Sequence, residues 1–170
     1  NTHDHRSPSA IAYISPDWSG FHFAVAAVAT NTGIDSGDTF DAWSATGVYK
    51  NGPLFASLSY QTVDVLDSDA TKLGVAYTFG DTTVGFLYET VDQAADRDGW
   101  LLNVKHNMGP MTLKAQYGQV DNGGADEDQL AIGVDYAMSK RTTAYFVYGK
   151  GDNDVGSDVG GWNLGVKHTF

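Results

Sequence analysis

The sequence predicts an all-β fold, an antiparallel transmembrane β-barrel wall of about eleven strands. Three observations carry that expectation. Apolar and polar residues alternate at period two through most of the 170 residues. Long acidic connections alternate strictly with tight turns. The apolar side of a strand often starts or ends on an aromatic ring, as amphipathic rings at a membrane interface do. A sandwich of two sheets would show the same alternation of side chains. The alternation of loop lengths and the aromatic ends favour a barrel in a bilayer.

The elements follow in order. The strands are placed at 9–15, 21–31, 41–51, 54–64, 71–80, 82–91, 99–108, 111–120, 129–139, 142–150 and 160–170, and the stretch 1–8 has no clear pattern. Tight turns are expected at Ser19-Gly20, Asn51-Gly52-Pro53, Gly80-Asp81, Gly109-Pro110 and Ser139-Lys140, because Gly and Asn supply the backbone angles such turns need. Pro16, Pro53 and Pro110 lie at or beside turns, where a missing N–H costs no ladder bond. Acidic, glycine-rich stretches recur near 32, 63, 91, 121 and 151. That spacing is two strands of about ten residues plus connections. Strand 100–108 shows the pattern well: Trp100, Leu102, Val104, His106 and Met108 share one face, against Leu101, Asn103, Lys105 and Asn107. Strand 162–170 sets Trp162, Leu164, Val166, His168 and Phe170 against Asn163, Gly165, Lys167 and Thr169.

Composition agrees. Apolar residues make up 42%, and no run of about 18 apolar residues exists, so a spanning helix is not expected. Barrel strands average out to near-neutral hydropathy, which leaves a barrel open. With no cysteine, neither a disulfide framework nor a cysteine metal site is available. No signal peptide is visible at Asn1, which reads as a mature or trimmed product. The net charge of −11 argues against nucleic acid, whose phosphates call for Lys and Arg. No cofactor is implied.

If the short turns are periplasmic, the five long loops are extracellular. By this layout they hold sixteen of the 21 acidic residues: Asp35, Asp38, Asp41, Asp64, Asp67, Asp69, Asp92, Asp96, Asp98, Asp121, Asp126, Glu127, Asp128, Asp152, Asp154 and Asp158. They either solvate the loops or share divalent cations with lipopolysaccharide phosphates, since hard cations prefer oxygen ligands. Asp126, Glu127 and Asp128 are candidates for weak cation contacts. Neither they nor Asp152-x-Asp154 fits a twelve-residue calcium loop.

Three segments resemble the general porins of Gram-negative bacteria. Arg6 to Phe21, RSPSAIAYISPDWSGF, is similar to the family's R-x-x-N-S-I-x-Y-x-S-P-x-F-S-G-F, with Ser9-Ala10 for Asn-Ser and Trp18 for Phe. Tyr136 to Tyr148, YAMSKRTTAYFVY, is similar to Y-x-L-S-K-R-T-x-L-Y-x-x-Y. The terminus LGVKHTF is similar to G-L-R-H-x-F. Asn163, Gly165, His168 and Phe170 also fit the general terminal signal by which barrels are recognised for insertion, with His168 where Tyr or Phe is usual. The resemblance implies a sixteen-stranded barrel with a constriction loop between the fifth and sixth strands. The chain would begin at about the sixth strand, so 1–170 is expected to be one barrel domain without its first five strands and that loop. Eleven strands would leave two unpaired edges. The family forms homotrimers in the outer membrane and lets small hydrophilic solutes and ions diffuse passively. The C-terminus is then periplasmic, and outer-membrane lipids and lipopolysaccharide are the surroundings.

Strand parity points Lys50, Lys72, Lys105, Lys114 and Lys167, with Glu89 and Asp135, into a wet lumen. In the family, basic wall residues face acidic residues on the constriction loop. The resemblance carries the wall role to Lys72, Lys105 and Lys114, and to Arg6, which lies beside the position of that loop. Each of these is otherwise a plain solvated lumen residue. His22 faces the lumen without a Ser or carboxylate at a fixed offset, and His106 and His168 read as interfacial anchors. No enzyme is expected, although triads assembled in space leave no local motif. His3-x-His5 with Asp4 reads as a disordered terminus rather than a metal site. Two other readings stay open. One is a structural or adhesive barrel with a plugged lumen and partner-binding acidic loops; the other is a soluble β-sandwich.

Overall fold

A computed structural model describes residues 9–29, 40–124, 126–154, 156 and 158–170. Eleven strands form one antiparallel sheet in the order of the chain. They are β1 (Ser9–Ile14), β2 (Phe21–Ala29), β3 (Ala42–Asn51), β4 (Leu54–Val63), β5 (Ser68–Phe79), β6 (Thr82–Asp92), β7 (Arg97–Met108), β8 (Met111–Asp121), β9 (Asp126–Ser139), β10 (Thr142–Asn153) and β11 (Val159–His168). Among the described residues the one helical element is a 3₁₀ turn at Asp64–Leu66.

Every predicted strand is present, but several run further toward the long loops than expected. β5 starts at Ser68, β9 starts at Asp126 and β10 continues to Asn153. The alternation of the sequence places these acidic residues in the long loops. Their side chains stand in water above the apolar band, so nothing in them breaks the backbone ladder. Asp69, Asp92, Asp98, Asp121, Asp126, Glu127, Asp128 and Asp152 therefore belong to strands, not to loops. Asp35 and Asp38 lie outside the described residues, as does the His3–Asp4–His5 segment.

The tight turns sit where expected. Ser19 and Gly20 have φ of 57° and 95°, the positive pair of a two-residue hairpin. Gly20 is required there for a second reason: a Cβ would stand 2.1 Å from the Lys50 carbonyl oxygen. Lys50 N–H donates to the Gly20 carbonyl at 2.7 Å, tying this turn to the end of β3. Gly52, Gly80 and Gly109 also take positive φ at their turns.

The sheet has no covered apolar core. Among the described residues the buried hydrophobic side chains are Ala42 and Val91, whereas Trp162 is 71% exposed and Leu164 70%. A sandwich would bury such residues against a second sheet, and all eleven strands lie in one. The soluble sandwich is thereby ruled out, and an exposed apolar face of this extent marks a surface for a membrane or another protein. No described helix is long and apolar enough to cross a membrane. On that face, nine residues from Trp100 to Met108 and from Trp162 to Phe170 run between aromatic, His or Met ends. This is the length a tilted strand needs to span the bilayer.

Candidate functional site: the polar wall

Directly opposite residues in a ladder share a face, so the register sorts every side chain. One continuous row is Ile14, Ala24, Thr46, Ser59, Lys72, Glu89, Gly99, Val120, Glu127 and Asn153. This polar face carries Lys50, Lys72, Glu89, Lys105, Lys114, Asp135 and Lys167, each where parity put it. Arg6 lies outside the described residues. Hydroxyl and amide groups link neighbouring strands across the same face: Thr46 donates to Ser59 at 3.0 Å and Thr112 to Asn107 at 3.1 Å.

The charges divide into two kinds. Lys72 and Glu89 are cross-strand partners, with Nζ to Oε2 at 3.1 Å. Lys114 pairs with Asp135, one step along β9 from its direct partner Gly133. Lys105 stands opposite Lys114. Two facing ammonium groups repel, and Asp135 relieves the clash by neutralising Lys114. Among the described residues no carboxylate lies within ion-pair distance of Lys50, Lys105 or Lys167. These three remain as net positive charge on the wall.

The polar face also holds two further charges, neither of which strand parity had assigned to it. Arg97 stands opposite Val91, and Glu127 opposite Val120 and Asn153. Arg97 was missed because β7 was started at 99, and Glu127 because its acidic neighbours suggested a loop. Extending the parity two residues past each predicted end would have found both. Glu127 Oε1 accepts hydrogen bonds from Asn122 (3.2 Å) and Asn153 (3.0 Å).

Asp126 and Asp128 point to the apolar side of the sheet and Glu127 to the polar side. Among the described residues no three such side chains cluster. Asp128 accepts from the Tyr117 hydroxyl at 3.2 Å.

The opposite face carries two aromatic rows. Near the long loops, Trp43 packs on Tyr60 (centroids 5.1 Å) and Trp100 on Tyr117 (5.5 Å). Near the tight turns lie Tyr13 with Phe23, Tyr77 with Phe79, and His168 with Phe170. His106 and His168 occupy equivalent places here. Each Nδ1 shares a hydrogen bond with the Thr opposite, Thr82 at 2.8 Å and Thr142 at 2.9 Å. On the polar face, His22 stands opposite Val48.

Comparison with known proteins places this wall. The anion-selective porin from Comamonas acidovorans superposes with a TM-score of 0.81 at 21% identity, over 96% of this chain and 60% of that one. A triple mutant of the Rhodopseudomonas blastica porin gives 0.78 at 23% identity, over 95% and 55%. The chain thus spans little more than half the length of these porins, and it shares their fold. A search of curated proteins gave no match. The family model described as Gram-negative porin matches residues 1–156. This chain, a two-faced antiparallel wall with one polar and one apolar side, belongs to the Gram-negative porin family.

Proposed function

We propose that the chain forms part of the wall of an outer-membrane channel through which small hydrophilic solutes and ions diffuse passively. One observation carries this reading. All the lysines in the strands but Lys150 lie on one face, with the hydroxyl and amide groups, while the other face is apolar between two aromatic rows. Such a sheet is stable only with hydrocarbon on one side and water on the other. The polar side is then the pore lining, and no reaction is assigned to it. The short turns face the periplasm with the C-terminus, and the long connections face outward.

Several finer points go with this reading. β1 and β11 run in the same direction, because the strand number is odd. An antiparallel wall therefore closes through an odd number of further strands between them. We take 1–170 as part of a single barrel domain that assembles as a trimer. Above the long-loop aromatic row, carboxylates face each other across strands: Asp69 opposite Asp92 and Asp98 opposite Asp121. Facing like charges are unfavourable, so this rim suits divalent cations shared with lipopolysaccharide phosphates. Nothing in the strands suggests an adhesive barrel with a plugged lumen. Conductance in planar bilayers, measured on the barrel closed by those further strands, tests the proposal: open steps are expected, and their absence from correctly inserted protein would overturn it.

A further inference from the structure

Strand β5 repeats the terminal strand. Residues 72–79 read Lys-Leu-Gly-Val-Ala-Tyr-Thr-Phe, and residues 163–170 read Asn-Leu-Gly-Val-Lys-His-Thr-Phe. Five of the eight positions are identical. The pattern of the terminal insertion signal (polar, Gly, aromatic, aromatic) is complete at Lys72, Gly74, Tyr77 and Phe79, with Tyr77 where the terminus itself has His168.

The likeness extends to three dimensions. Both strands run from the long-loop side to the turn side and present the same faces. In both, the glycine lies on the polar face under a side chain of the preceding strand. A Cβ on Gly74 would meet Ser57 Oγ at 2.8 Å, and one on Gly165 would meet the Tyr145 hydroxyl at 2.5 Å. These are the direct ladder partners in each case. In both, the closing ring pair stands on the apolar face, with centroids at 6.5 Å for Tyr77–Phe79 and 4.9 Å for His168–Phe170.

A membrane boundary alone does not demand this ending. β7 and β9 run in the same direction, and their apolar faces finish on Met108 and Met138. β7 has Asn103 in place of the glycine, and β9 has Ala131 in place of the polar residue. The whole set recurs in β5 alone among these strands.

We propose that β5 is an internal copy of the terminal recognition strand, read by the same outer-membrane barrel-assembly machinery. The inference rests on Asn163, Gly165, His168 and Phe170 being such a signal. Recognition of an extended segment by an unpaired sheet edge takes main-chain hydrogen bonds for affinity and alternate side chains for specificity. β5 offers both in the polarity of β11, before β4 and β6 pair with it. A strand of opposite direction could not occupy the same edge with the same faces.

The test measures assembly of the full chain by the purified machinery in proteoliposomes, in competition with synthetic peptides 71–79 and 162–170. Both peptides should slow assembly with similar potency. A 71–79 peptide with Tyr77→Ala and Phe79→Ala should be weaker by about tenfold or more, as expected when two anchoring rings are removed. Inhibition by 162–170 but not by 71–79 would overturn the internal copy and leave the terminal signal standing. Silence from both would overturn both. Equal inhibition by the alanine peptide would show mere stickiness and also overturn the proposal. In the full chain, the same double substitution should slow assembly. Tyr136→Ala with Met138→Ala, the matching positions of β9, should not.

Discussion

Lys105 and Lys114 face each other in adjacent strands, yet their electrostatic surroundings differ. Lys114 is neutralised by Asp135, while Lys105 has no acidic partner among the described residues. Lys105→Glu takes this part of the wall from one positive to one negative charge, and Lys72→Glu takes the Lys72–Glu89 pair from neutral to two negative charges, so both should shift the reversal potential toward cation preference. Ion pairs this exposed are worth only about 0–1 kcal/mol, so neither change should unfold the wall. An unchanged reversal potential in a salt-gradient bilayer measurement would contradict the assignment of both residues to the pore. Gly20 makes a sharper case. Gly20→Ala places a methyl against the Lys50 carbonyl at positive φ, and strain of that kind costs about 1–3 kcal/mol. Urea unfolding of the lipid-inserted protein, followed by tryptophan fluorescence, should show a midpoint lowered accordingly.

Within a strand, the two faces answer to different solvents. Leu102 and Asn103 are neighbours in β7 and point to opposite sides. Leu102→Arg should cost about 2–4 kcal/mol, the penalty for arginine near the middle of the lipid-facing surface. Asn103→Arg should leave stability nearly unchanged and alter conductance instead. Similar losses from both would mean that the faces are misassigned. The element ends follow the same logic. At the turns of Gly20, Gly52, Gly80 and Gly109 the strands end because positive-φ residues reverse the chain. Toward the long loops they continue past the aromatic row, because charged side chains in water leave the ladder intact. That is why the polar-face places of Arg97 and Glu127 lie beyond the expected strand ends, whereas the turns fall where expected.

In the molecule as a whole, strand number decides what the wall can do. Eleven strands leave β1 and β11 running in the same direction and unpaired with each other. The chain has no cysteine of its own, so introduced pairs report cleanly. Val147→Cys with Asn163→Cys, ladder partners in β10 and β11, should be bridged by a short thiol crosslinker in the inserted protein. Ala12→Cys with Asn163→Cys, joining β1 to β11, should not. Efficient bridging of the second pair would show direct closure and remove the need for further strands.

The sequence by itself determined the alternation, the turn positions and the face of nearly every strand residue. Those depend on a two-residue period and on local backbone angles, both of which are written locally. Lys50, Lys72, Lys105, Lys114 and Lys167 could be assigned to one side for that reason alone. Only the tertiary structure decided which of them have an acidic partner, since pairing depends on the register between strands far apart in the chain. It also decided that Asp126 and Asp128 part from Glu127, that the strands outrun their aromatic row, and that the edges stay apart. A ladder's length and its closure are set by neighbouring strands and by the solvent on each face, which no single stretch of sequence contains.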